Sequence, residues 1–135
     1  MHSTTTQSPA FSHLVSRLGH ALDSGSYDNF REVFTAEASI RTPGGEQQGI
    51  ERIIGQAAAS HDDYDVTQHL FGDVHTEVDG DRATVTANAI VTLVPDAEQP
   101  EMHRMLGARY GFDAVHTDAG WRFDRMAITP LWSRE

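Results

Sequence analysis

The chain has 135 residues and a formal net charge of −10, from 20 acidic against 10 basic side chains. That length holds one domain, and 39% hydrophobic residues are enough for a packed core, which excludes global disorder. So acidic a surface repels phosphate backbones and anionic headgroups, so neither nucleic acid nor a membrane is an expected partner. Cysteine is absent, which removes disulfides, thiolate nucleophiles and thiolate-bound zinc. Lysine is absent too, because every basic residue is Arg, and this removes Schiff-base and P-loop chemistry.

Residues 1–8 are rich in Ser and Thr and read as a flexible tail, leaving 9–135 as the domain. The start lacks the basic and apolar regions of a secretory signal. No apolar run approaches the ~20 residues of a membrane span, so a soluble cytoplasmic protein is expected. Ser8-Pro9 reads as a helix start, and Phe11, Leu14, Val15, Leu18 and Leu22 form one apolar face ending near Asp23. Ser24-Gly25 breaks that helix. Ser26 then caps a second, shorter one carrying Phe30, Val33 and Phe34. Residues 37–42 alternate as a short strand, and Pro43-Gly44-Gly45 is a turn. Ile50, Ile53, Ile54 and Ala57 mark a third helix ending near Ser60.

The remainder reads as sheet. Strands at 66–78 and 83–94 are joined by Asp79-Gly80, a two-residue hairpin signal. A third spans 102–116, with Gly107 and Gly111 marking bends or bulges. A last strand covers 121–129, where Pro130 ends it. Three N-terminal helices packed on a curved, mostly antiparallel sheet make an α+β domain.

The remaining acid–base groups are His, Asp, Glu and Tyr. Most of the eight histidines, His61 among them, lie in polar neighbourhoods and read as surface residues. His69 stands inside a strand, in Thr67-Gln68-His69-Leu70-Phe71-Gly72, and is either a hydrogen-bonded core residue or a proton-transfer group. Asp23 is either a helix-end residue bonded to the Ser24-Gly25 turn or a functional carboxylate, placed where the helix dipole disfavours it. Tyr110, between Gly107 and Gly111, either packs in the core or donates to a ligand oxygen. Phe71 and Trp132 are candidate pocket walls, and Asn88, in an apolar strand, needs partners if buried. The run His61-Asp62-Asp63-Tyr64-Asp65 lacks the glycine and distal glutamate of a calcium loop, and HExxH, GxGxxG and Gly-x-Ser-x-Gly are missing. No metal and no cofactor are expected.

The helical start, the Thr67-Gln68-His69 strand, the hairpin Val78-Asp79-Gly80-Asp81-Arg82-Ala83 and the closing Asp118-Ala119-Gly120-Trp121-Arg122-Phe123 together resemble the SnoaL-like branch of the nuclear transport factor 2-like superfamily, NTF2-like for short. The likeness runs from about Phe11 onward. It implies a cone-shaped α+β barrel around a deep pocket, often assembled as a homodimer. Leu22-Asp23-Ser24-Gly25-Ser26-Tyr27-Asp28 and Thr67-Gln68-His69 are similar to segments of the scytalone dehydratases. That similarity implies an Asp/His dyad, with His69 moving the proton and Asp23 orienting it. The chain departs from those enzymes at Leu22, Leu93, Ala108 and Tyr110, where they carry tyrosine, histidine, serine and asparagine. The same substrate and reaction are therefore not expected. The resemblance still implies a cofactor-independent enzyme of dehydratase, isomerase or polyketide cyclase type, a lyase or isomerase acting on a small apolar polyketide-, terpenoid- or steroid-like molecule. A non-catalytic small-molecule-binding protein and a structural subunit of an oxygenase-type complex are the alternatives.

Overall fold

The computed structural model describes residues 9–135; the Ser/Thr-rich tail and the Ser8 cap lie outside the described residues. Helix α1 (Pro9–Ser24) forms where the apolar spacing predicts it, burying Phe11, Leu14, Val15, Leu18 and Leu22. Gly25, at φ 69°, closes it with a Schellman motif: its N–H reaches the Leu22 carbonyl and the Ser26 N–H reaches the Ala21 carbonyl. That stop holds Asp23 in the last turn.

The second predicted helix is a short 3₁₀ helix, Tyr27–Glu32. Val33 and Phe34 leave it, and strand β1 (Phe34–Thr42) begins earlier than predicted, because β-branched and aromatic residues in succession favour the pleated chain. Both side chains are buried all the same. Ser26 holds the N-cap position, but its side chain makes no capping bond; Ser24 Oγ lies 3.1 Å from its hydroxyl. Strand β2 (Gly45–Gln48) escapes the sequence reading because Glu46-Gln47-Gln48 has no apolar alternation; it is a polar edge paired to β1 through the Pro43-Gly44 turn. Helix α2 (Ile50–His61) buries Ile50, Ile53 and Ala57.

Strands β3 (Val66–Asp79), β4 (Arg82–Val94), β5 (Arg104–Thr117) and β6 (Gly120–Arg134) form the predicted meander. The sheet order is β2-β1-β6-β5-β4-β3; β1 and β6 run parallel and every other pair antiparallel. The hairpin turn falls on Gly80-Asp81, one residue beyond the predicted pair, so Asp79 faces Arg82. β4 shows the simplest alternation, with Ala83, Val85, Ala87, Ala89, Val91 and Leu93 all buried.

Bulges bend this sheet. In β3 the register shifts between Gly72 and His75, with Asp73 at φ 51°. The inward set Thr67, His69, Phe71 resumes as Val74 and Thr76, a change of phase by one residue. A second shift falls at Gly107, as predicted, while Gly111 pairs without interruption. Pro130 does not end the last strand, which continues to Arg134. It sits opposite Ala108 at the Gly107 bulge, and β1 stops pairing with β6 at Ala127. The proline therefore stands where the ladder is interrupted on one side and absent on the other. The core lies between the inner face of the sheet and the helices. No described helix is long and apolar enough to cross a membrane.

Candidate active site

Asp23 ends α1, where the backbone dipole disfavours a negative charge. Strand β3 compensates with three hydrogen-bond donors. The His69 main-chain N–H donates to Oδ2 at 2.8 Å, Thr67 Oγ1 donates to Oδ1 at 3.2 Å, and His69 Nδ1 lies 2.7 Å from Oδ1. β3 is an edge strand, so alternate N–H groups lack a strand partner, and Asp23 satisfies one of them. The alternative reading of Asp23, a bond to the Ser24-Gly25 turn, is not made. Main-chain bonds close that turn, and Ser24 Oγ donates to the His20 carbonyl.

The His69 side chain is 4% exposed and the Asp23 side chain 27%. The imidazole stacks on Phe71, ring centroids 6.1 Å apart. Burial pulls the His69 pKa below its ordinary 6.5; the Asp23 hydrogen bond and charge oppose this, and His61 adds to the lowering. The ring is accordingly neutral near pH 7. A carboxylate can only accept, so the single ring proton sits on Nδ1, and Nε2 keeps its lone pair with no partner among the described residues.

His69 lines a cavity of about 600 Å³. Its walls are largely apolar, from Leu18 and Leu22 of α1, Ile53 and Ala57 of α2, and Val91, Leu93, Leu106 and Met126 of the sheet. The polar groups are few: His69, His61, Ser60, Ser133, Tyr110, and the pair Thr42 and Gln56, joined by a 2.8 Å hydrogen bond from Gln56 Nε2. Gln56 Oε1 is buried without a partner. Trp132 and Arg104, both substantially exposed, line the rim, and Arg104 pairs with Glu135 at 3.0 Å.

Tyr110 is buried, packs edge-on against Phe71 at 4.9 Å, and lines the cavity. Burial first, and the Asp23 charge second, push its pKa far up, so the hydroxyl remains a donor at any working pH. Trp132 lines the cavity. Phe71 does not: it packs behind His69 and Tyr110, half-buried, as a support. Asn88 is also misplaced by the sequence reading. Ala87 and Ala89 take the inward positions of β4, so Asn88 points outward, where it bonds Asp73 and Arg109. In the acidic run after α2, Asp62 and Asp63 are exposed and Asp65 accepts the Ala97 N–H.

The residue that sequence reasoning missed is His61. It lines the same cavity, its ring 5.5 Å from that of His69. The signal was present: His61 lies one helical step beyond Ile53 and Ala57 on the inward stripe of α2.

This fold has relatives. The model of the SnoaL-like domain family matches residues 5–127, and the chain belongs to that family. Its α+β architecture is the NTF2-like fold. An NTF2-like superfamily protein from Salmonella enterica superposes with a TM-score of 0.85 at 14% identity, covering 96% of this chain and 94% of that one. A protein of Novosphingobium aromaticivorans, provisionally assigned as a scytalone dehydratase, gives 0.81 at 16% identity, covering 93% and 84%. A hexachlorocyclohexane dehydrochlorinase, LinA type 2, gives 0.81 at 18% identity, covering 93% and 85%. No curated protein matches the sequence.

Proposed function

We propose that the protein is a cofactor-independent acid–base enzyme that removes a proton from carbon in a small apolar molecule. The observation that carries this reading is the neutral His69 ring, fixed through Nδ1 by Asp23, with Nε2 free at an apolar cavity. Asp23 sets the tautomer and stabilises the imidazolium formed when Nε2 takes the proton. Tyr110 donates a hydrogen bond to the oxygen on which charge develops. The apolar walls give the substrate its class: an uncharged, largely hydrocarbon compound, polyketide-, terpenoid- or steroid-like. Two structural neighbours carry the names of enzymes that eliminate water or hydrogen chloride, in accord with this chemistry.

The test uses 5-nitro-1,2-benzisoxazole, an apolar carbon acid. A base takes its ring C–H proton, the N–O bond breaks, and a coloured cyanophenolate appears with no co-reactant. The wild-type protein should convert it, and His69→Gln should lose about 10²–10⁴-fold in rate. If the probe occupies the cavity yet reacts no faster than with free imidazole, the enzyme reading is overturned and the cavity belongs to a small-molecule binder.

A further inference from the structure

His69 supplies only one half of an elimination, since a departing oxygen also needs a proton. We propose that His61 is the general acid of this cavity, donating from Nε2 to an oxygen leaving group while His69 takes the proton from carbon. This rests on the acid–base reading and narrows its substrate class to small apolar molecules that lose a hydroxyl or other oxygen group in a 1,2-elimination.

Three observations carry the assignment. His61 and His69 face one cavity, with ring centroids 5.5 Å apart and planes inclined by 40°. One small substrate spans such a gap with its C–H at one ring and its oxygen at the other. His61 Nδ1 lies 2.8 Å from the Ala57 carbonyl and 3.0 Å from Ser60 Oγ, which itself donates to that carbonyl. A carbonyl only accepts, so Nδ1 carries its proton permanently, and Nε2 is the nitrogen that gains and loses one. His61 is also the last residue of α2, at the end where the helix dipole favours a cation, whereas the His69 side chain is only 4% exposed. Two like groups with different surroundings divide into an acid and a base. The ionisable groups around His61 are His69, Asp62 next in sequence, and Tyr27, whose ring lies 6.2 Å away; Asp23 stands behind His69 and Arg104 at the rim.

The step balances without a co-reactant. The C–H electron pair becomes the new π bond as its proton goes to His69 Nε2. The C–O bond breaks, and its oxygen takes the proton from His61 Nε2. His69 then releases one proton and His61 regains one, so the net loss is water or an alcohol.

The experiment compares two probes differing in leaving group: 5-nitro-1,2-benzisoxazole, whose phenolate leaves unaided, and unsubstituted 1,2-benzisoxazole, whose more basic oxygen profits from an acid. His61→Gln should slow the unsubstituted probe by about tenfold or more and the nitro probe by less than about twofold. The wild-type rate for the unsubstituted probe should also fall at high pH, a limb that the nitro probe lacks. Equal slowing of both probes, or of neither, overturns the assignment while leaving His69 as base. If His69→Gln instead converts both as fast as wild type, the base reading falls and this one with it. Circular dichroism checks the fold of His61→Gln; should it be disturbed, the high-pH limb of the wild type decides alone.

Discussion

The two walls of the cavity hold their imidazoles by different means. On the sheet wall, His69 is fixed by a distant partner: Asp23, at the end of another element, bonds both its ring and its main chain. On the helix wall, His61 is fixed locally, by a carbonyl one turn earlier in its own helix. The first arrangement needs the tertiary fold to be complete. The second exists wherever α2 does. The proposed base is thus held in place by the tertiary fold, and the proposed acid by its own helix.

The largest effect that can break this contrast is at His69 itself, where Gln should cut probe turnover by about 10²–10⁴-fold while leaving the fold intact by circular dichroism. Asp23→Ala comes next. It strands the Thr67 hydroxyl and two His69 donors, costing about 1–3 kcal/mol in urea unfolding and at least tenfold in turnover. An Asp23→Ala protein as stable as wild type would show that the sheet wall is not held from α1. pH separates the walls more finely. As the proposed base, His69 works as the neutral ring, so turnover of the nitro probe should rise with pH through a midpoint below 6.5. His61→Gln should move that midpoint up by removing a neighbouring charge, and Asp23→Asn should move it down. The linked stability has the same sense: the folded pKa is depressed, so the His69 contribution is complete above 6.5 and is lost as pH falls from there toward the folded value. At Gly107 an added Cβ would fall inside the Trp132 indole. Gly107→Ala should therefore displace that ring from the rim, costing about 1–3 kcal/mol and shifting the Trp fluorescence. The smallest effect belongs to Asn88→Ala on the outer face: within about 0.5 kcal/mol of wild-type stability, with probe turnover unchanged.

Much of this was legible in the residues. The stripe from Phe11 to Leu22 places its side chains on the buried face of α1. The inward face of β3 was not legible, because Leu70, 68% exposed, and Phe71 are both apolar and a one-residue slip turns the strand over. What local pattern cannot supply is the meeting of Asp23 with His69, two groups 46 residues apart; only the family resemblance implied it, and the contact itself is 2.7 Å. Asn88 was misread because β4 has apolar residues on both faces, with Ile90 38% exposed beside the buried alanines, which hides the period. β2 was missed because an exposed polar edge carries no hydrophobic signal. His61 was passed over because the acidic residues after it masked its place on the helical stripe.

The bulge at Asp73 means that β3 is written in two frames. Read from the site end, odd-numbered residues through Phe71 face inward; read from the hairpin end, even-numbered ones do. Asp73 is the inserted letter that lets both be true. Deleting it would merge the frames and force a choice between keeping His69 inside and keeping Val74 inside. The grip of Asp23 on the His69 backbone decides that contest in advance, so the hairpin would turn over while the site stayed in place. The strand thus keeps its two halves in separate phase, and the half that carries the imidazole is the one tied to α1.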